Sequence, residues 1–314
     1  MTINYETKVV YVFTSINGNE KAHGNPALVV FGDPEEREAF DIATKSRTLL
    51  NGEFIGSPII SFITPRNIEK NEFNIKYRFC NGTPMSICGH GTIGATKAII
   101  DKYGIKGKNT FRFYLDQSFE DNKRFPYINI ETDGNYFRAE FDEVNISKLE
   151  GNEITDIILK NLPNTKNSAI YKTENRDYIC VYNSAEELRN IVIPKSELDK
   201  IRELDPTYRA ILTTAVSDVK GYDYETTVFS DCLPAPVYKD PACGSANKFI
   251  PKLLRIENCF PDRFKNSDVE TFKMFYPYRF VENGIKGGIQ DVEYYLKKGK
   301  YLLIVVRYWV KIVI

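Results

Sequence analysis

Two cysteines stand directly before glycine, in Cys88-Gly89-His90-Gly91-Thr92 and in Cys243-Gly244-Ser245-Ala246. Each pair reads as the start of a helix, and the two lie about half the chain apart. A thiol at a helix N-terminus sits in the positive end of the peptide dipoles, which favours the thiolate at neutral pH. Two such thiols, one per half of the chain, suggest a pair of acid/base groups facing each other across a cleft. One base cannot easily reach both faces of a carbon that must lose a weakly acidic Cα proton and regain one on the opposite side, whereas two cysteines can. One sulfur takes the proton as thiolate, and the other returns one as thiol. The free N–H groups around Gly89, His90 and Gly91, and around Gly244 and Ser245, suit a substrate carboxylate. They would also steady the enolate-like charge that builds on it.

Other polar residues carry both a chemical and a bland reading. Glu53 follows Asn51-Gly52 and is either a base or a solvated loop acid. Asp240 precedes Pro241 and is either a substrate contact or a helix cap. Asn25 precedes Pro26, which is also ordinary turn chemistry. His90 either orients substrate or bonds to nearby backbone. Ser245 is a further candidate substrate contact.

Composition excludes several classes. Lysine plus arginine equals aspartate plus glutamate, 42 each, so no nucleic-acid partner is expected. No apolar run reaches bilayer-spanning length, so no membrane partner is expected and the cytosol is the expected address. The six cysteines form no C-x-x-C pair and there are only two histidines, so no metal site is expected. Cys80, Cys180, Cys232 and Cys259 read as core residues. No nucleotide loop or Schiff-base frame is present, and no cofactor is expected.

The elements that must position the thiols follow from pattern. Strands are expected over 8–14, 28–31, 57–64 and 73–79, with a helix from Pro34 to about Leu50. A second, largely apolar helix is expected from Thr92 to Lys102, closed by Gly104. Further strands are expected over 127–141, 179–181, 210–217, 225–229, 284–296 and 301–313. Ser184 and Ser196 read as helix caps. A second central helix is expected from Ser245 to about Ile256, kinked by Pro251.

Six blocks in chain order resemble the PhzF-like branch of the diaminopimelate epimerase-like superfamily. They are Val12-Phe13-Thr14, Gly24-Asn25-Pro26-Ala27, Asn51-Gly52-Glu53-Phe54, Cys88-Gly89-His90-Gly91-Thr92, the block from Tyr224 to Ser230, and Asp240-Pro241-Ala242-Cys243-Gly244-Ser245-Ala246. The resemblance implies an α+β fold of two pseudo-symmetric lobes, each a β-barrel-like sheet around a central helix, with the site between them. The expected lobes are 1–132, completed by about 296–314, and 133–295. It also implies a homodimer. PhzF-like isomerases resemble this chain at Glu53, His90, Asp240 and Ser245, but usually carry threonine where Cys243 stands. The cysteine at both positions is similar to the proline-racemase and hydroxyproline-epimerase branch. Three readings follow. The first is a cofactor-independent amino-acid racemase or epimerase using Cys88 and Cys243. The second is a PhzF-like isomerase of a small unsaturated hydroxy acid with Glu53 as base. The third is a non-catalytic small-molecule-binding protein. The expected partner is an amino acid or small carboxylic acid.

Overall fold

Strands are the most extensive regular structure among the described residues. The computed structural model describes residues 5–13, 24–46, 59–124, 126–133, 136–142, 144–233, 238–240, 243–260, 269–275, 289–295, 300–306 and 308–311. The fold is mixed α+β, and the chain divides into two compact units, Met1–Glu140 with Ile304–Ile314, and Phe141–Leu303.

In the first unit the elements run β1 (Glu6–Val12), β2 (Asn25–Phe31), α1 (Glu36–Lys45), β3 (Ile59–Asn67), β4 (Glu72–Phe79), β5 (Pro84–Met85), α2 (Gly89–Tyr103), β6 (Asn109–Leu115), α3 (Glu120–Arg124), β7 (Tyr127–Thr132) and β8 (Tyr136–Asp142). β1 pairs antiparallel with β2, and β2 runs parallel to β3. The order continues through β4, β6, β7 and β8. The sheet curls so that α2 touches β1, β2, β3 and β7.

β2 is buried on both faces. Leu28 and Val30 join Val9, Ala39, Ala43 and Phe62 in a cluster under α1. On the opposite face Ala27 meets α2, where a Cβ on Gly94 would come within 2.7 Å of the Ala27 Cβ. This double burial explains an uninterrupted apolar strand rather than an alternating one. α2 ends at Gly104, whose φ of 66° makes a left-handed cap.

The second unit contains β9 (Ile146–Lys148), α4 (Glu153–Asn161), β10 (Tyr171–Thr173), β11 (Tyr178–Val181), α5 (Ala185–Arg189), α6 (Lys195–Leu204), β12 (Ile211–Val216), β13 (Tyr224–Phe229), α7 (Ile250–Ile256), β14 (Val269–Phe275), β15 (Ile289–Tyr295) and most of β16 (Lys300–Val306). β13 lies between antiparallel β12 and parallel β14. Ile211, Ala215 and Phe229 pack with Ile158, Leu188, Leu198 and Ile201 from α4, α5 and α6. The last strand, β17 (Tyr308–Lys311), belongs to the first unit and pairs antiparallel with β1.

Several expectations are corrected here. Asn25 and Pro26 are not turn residues but open β2, opposite Val12 and Tyr11. The 127–141 strand is two strands, β7 and β8. Ser184 caps α5 by accepting the Glu187 N–H. Ser196 caps nothing, because α6 begins one residue earlier, after Pro194. The expected central helix after Cys243 is broken rather than kinked. A five-residue 3-10 turn, Gly244–Lys248, stops at Phe249, and α7 restarts with Pro251 in its first turn. There the missing proline N–H costs no intrahelical bond. Cys80, Cys180 and Cys232 are buried free thiols and Cys259 is half-buried.

Candidate active site

Cys88 is the N-cap of α2, with extended backbone at φ −143° and ψ 111°. Its Sγ accepts the Gly91 N–H at 3.4 Å and lies 3.3 Å from His90 Nδ1. Both neighbours can stabilise negative charge on sulfur. The N–H groups of Gly89 and His90 are beyond the reach of any intrahelical carbonyl and stay available to an anion. Glycine at 91 is needed, because a Cβ there would come within 2.7 Å of Ser61 Oγ and 3.3 Å of the Tyr77 ring.

His90 is buried, and burial pulls its imidazole down to about 4 from an ordinary 6.5. The Pro26 carbonyl beside it favours the charged ring but is outweighed. Nε2 makes no hydrogen bond of ordinary geometry. The ring therefore carries one proton at neutral pH. With that proton on Nδ1 it donates to a Cys88 thiolate, and with it on Nε2 it accepts from a Cys88 thiol. Phe13, at φ 68°, sets its ring 6.4 Å from the imidazole.

A buried chain of hydroxyls supports this turn. Thr92 Oγ1 donates to the Cys88 carbonyl at 2.7 Å, and Tyr77 OH is 2.6 Å from Thr92 Oγ1. Thr92 has spent its only proton on the carbonyl, so Tyr77 is the donor. Burial, with the nearby Cys88, raises the Tyr77 phenol and keeps that proton in place. Sequence reasoning gave Tyr77 and Ser61 no role. The only signal is that both face inward on adjacent strands, Ser61 opposite Tyr77.

Cys243 is the half-buried residue at the N-cap of the 3-10 turn, with no side-chain cap bond. A turn this short supplies far less aligned dipole than the fifteen-residue α2. β13 positions it from both sides. Tyr224 OH donates to Asn247 Oδ1 at 2.7 Å, pinning the turn. The Val228 carbonyl accepts the Asp240 N–H at 2.8 Å, and Lys239 bridges to Phe229. Asp240 is buried and does not cap the turn, since that position belongs to Cys243. Lys239 is also buried, with its ammonium 5.7 Å from the Phe229 ring centroid. Burial lowers its amine to about 8, against the pull of Glu225.

The first unit thus gathers Asn25, Cys88, Gly89, His90 and Gly91 at the start of α2. The second gathers Asp240, Cys243, Gly244 and Ser245 beside β13. Glu53 lies outside the described residues, as does the side chain of Ser245. Among the described residues no three metal-ligating side chains converge.

The sequence pattern of the PhzC-PhzF family, described as phenazine biosynthesis-like protein, matches residues 10–274. The chain belongs to this family. No curated protein matches it. Among solved structures, it resembles a putative phenazine biosynthesis PhzC/PhzF protein from Clostridium difficile, at 19% identity over 98% of each chain and a TM-score of 0.65. It also resembles a predicted epimerase from Pseudomonas aeruginosa, at 14% identity over 99% of this chain and 100% of that one, with a TM-score of 0.65. A probable proline racemase from Agrobacterium radiobacter, with bound carbonate, is 10% identical over 99% and 93%, with a TM-score of 0.58. At these identities the likeness is one of fold, the diaminopimelate epimerase-like α+β fold. Among the described residues no helix is long and apolar enough to cross a membrane.

Proposed function

We propose that this PhzC-PhzF family member is a cofactor-independent racemase or epimerase of an amino acid or a close derivative. The observation that carries the reading is the Cys88 thiol, capping α2 within 3.3 Å of His90 Nδ1 and 3.4 Å of the Gly91 N–H. These contacts suit a sulfur that alternates between thiolate and thiol. In the proposed reaction the Gly89 and His90 N–H groups hold the substrate carboxylate. Cys88 removes the Cα proton from one face, charge spreads onto the bound carboxylate, and Cys243 delivers a proton to the other face. With the opposite enantiomer the roles exchange. The weaker dipole at Cys243 suits it to the donor role first. The reading requires both sulfurs to reach one Cα.

Family membership favours a second reading, a PhzF-like isomerase in which Glu53 moves a proton within a small unsaturated hydroxy acid. Cys243 then has no essential role. The third reading, a binding protein, predicts no proton exchange with any ligand.

Incubation of an amino-acid panel in D2O, read by mass shift and chiral chromatography, separates the three. Under the racemase reading Cys88→Ser and Cys243→Ser each lower racemisation by about 10²–10⁴-fold. Each variant still exchanges the Cα proton of one enantiomer, because one base still reaches one face. Glu53→Gln costs less. Turnover that survives loss of both thiols and disappears with Glu53→Gln transfers the assignment to the isomerase.

A further inference from the structure

The hydroxyl chain behind α2 ends on the peptide group that opens the helix. Tyr77 reaches in from β4 and donates to Thr92 Oγ1 at 2.6 Å, and Thr92 Oγ1 donates to the Cys88 carbonyl at 2.7 Å. The same carbonyl accepts the Thr92 N–H at 3.0 Å. Two donors thus converge on one oxygen. Both Thr92 and Tyr77 are buried. A threonine hydroxyl that bonds back one turn is ordinary helix chemistry. The phenol behind it needs a further reason. Phenylalanine would fill the same space without taking a polar group out of water, so the hydroxyl at 77 carries a cost that only its bond to Thr92 offsets.

We propose that Tyr77 and Thr92 are positioning residues for substrate binding, whose hydroxyls polarise the Cys88–Gly89 peptide and make the Gly89 N–H a stronger donor to an anion. The inference rests on the reading in which that N–H holds the substrate carboxylate. The two hydroxyl dipoles run the same way, each with its hydrogen towards Cys88. A hydroxyl that accepts one bond donates a stronger one, by roughly 10–30% per link. Electron density drawn onto the carbonyl oxygen deepens the double-bond character of the peptide C–N bond and leaves the amide hydrogen more positive. The Gly89 N–H is the far end of this peptide group, and as the first amide of α2 it has no intrahelical partner. The effect is local. The His90 N–H belongs to the next peptide group, whose carbonyl is that of Gly89 and stands outside the chain of hydroxyls. Burial keeps the Tyr77 phenol protonated, so the chain keeps its direction across the neutral range.

Alkylation of Cys88 tests this without turnover, so failure of the racemase reading and failure of this inference are separate results. Iodoacetate brings a carboxylate to the Gly89 N–H as its methylene reaches the sulfur, and iodoacetamide brings none. The rate ratio of the two reagents, read by mass spectrometry on the Cys88 peptide and divided by the same ratio for glutathione, reports the anion site alone. It is expected to exceed unity in the wild type. It should fall about two- to fourfold in Tyr77→Phe and in Thr92→Val, and stay near the wild-type value in Thr92→Ser, which keeps the hydroxyl. Melting curves check that each variant folds. In 15N-labelled protein the Gly89 amide proton is expected to move upfield in Tyr77→Phe, which keeps the ring, while that of His90 stays in place. If Cys88 resists both reagents, the amide shifts decide alone. Variants that slow both reagents alike indicate loosened packing and overturn the inference. So does a wild type in which iodoacetate has no advantage at Cys88, or a Gly89 signal that ignores the loss of the phenol.

Discussion

His90 and Lys239 are ionisable side chains held against their charged forms, and each leaves a signature in the pH dependence of stability. The His90 ring sits at about 4 in the folded chain against an ordinary 6.5. Between those values the unfolded ring binds a proton that the folded ring refuses. Stability is full above pH 6.5 and falls as the pH drops towards 4, by on the order of 3 kcal/mol from this group. Denaturant titrations at pH 4.5 and 7 should show a smaller loss for His90→Gln than for the wild type. An equal loss in both would assign the acid sensitivity to other groups. Lys239 has the same sign in another window. Its folded-state value of about 8 lies below the ordinary 10.5, so stability should rise between pH 8 and 10.5. Lys239→Met should melt higher than the wild type at pH 7, by the equivalent of about 1–3 kcal/mol, and the gap should narrow by pH 10. A gap that does not change with pH would mean that packing, not charge, sets the difference. The sequence showed His90 because it sits in a short motif with Cys88. It did not show Lys239, because a lysine before Asp-Pro looks like any surface residue until β13 is seen covering it.

At the scale of the element, α2 is fixed by close approach. Gly94 lets it rest on Ala27 of β2, and Gly91 lets its first turn rest on Ser61 and Tyr77. The nearest obstacle at 91 is the Ser61 hydroxyl at 2.7 Å, with the Tyr77 ring next at 3.3 Å, which makes a sharp test. Gly91→Ala should cost about 1–3 kcal/mol by overpacking. Adding Ser61→Ala should recover much of that cost, and a double-mutant cycle measures the coupling. Additive losses would place the clash elsewhere. Helix α2 was legible because a long apolar run ends in Gly104. The break after Cys243 was only partly legible. Pro251 announced a disturbance, but not that Phe249 would divide the segment, because the anchor that holds the first piece is the bond from Tyr224, far away in sequence. The α4 cap was overlooked too. There Asn152 and Thr155 bond reciprocally, with Thr155 in place of the usual acidic partner.

For the whole molecule, the strands were legible because apolar alternation is a local signal. The connections were not, since parallel neighbours such as β2 with β3 and β4 with β6 depend on crossovers that no short window records. The return of β17 to β1 is the longest of these connections. Its register, Val9 with Lys311 through Val12 with Tyr308, leaves β1 with an open edge if β17 is removed. Deleting residues 308–314 should therefore lower the melting temperature and promote aggregation by edge pairing. Light scattering during a thermal ramp checks this, and an unchanged ramp would show the edge to be protected by other means. The same pairing also sets a timetable. A ribosome releases residues in order, at roughly 5–20 per second. The strand beside β1 emerges only after the entire second unit has been made. The first unit must therefore wait, with one margin of β1 unzipped, until β17 has been made. Nascent chains arrested short of β17 are then the population most in need of a chaperone.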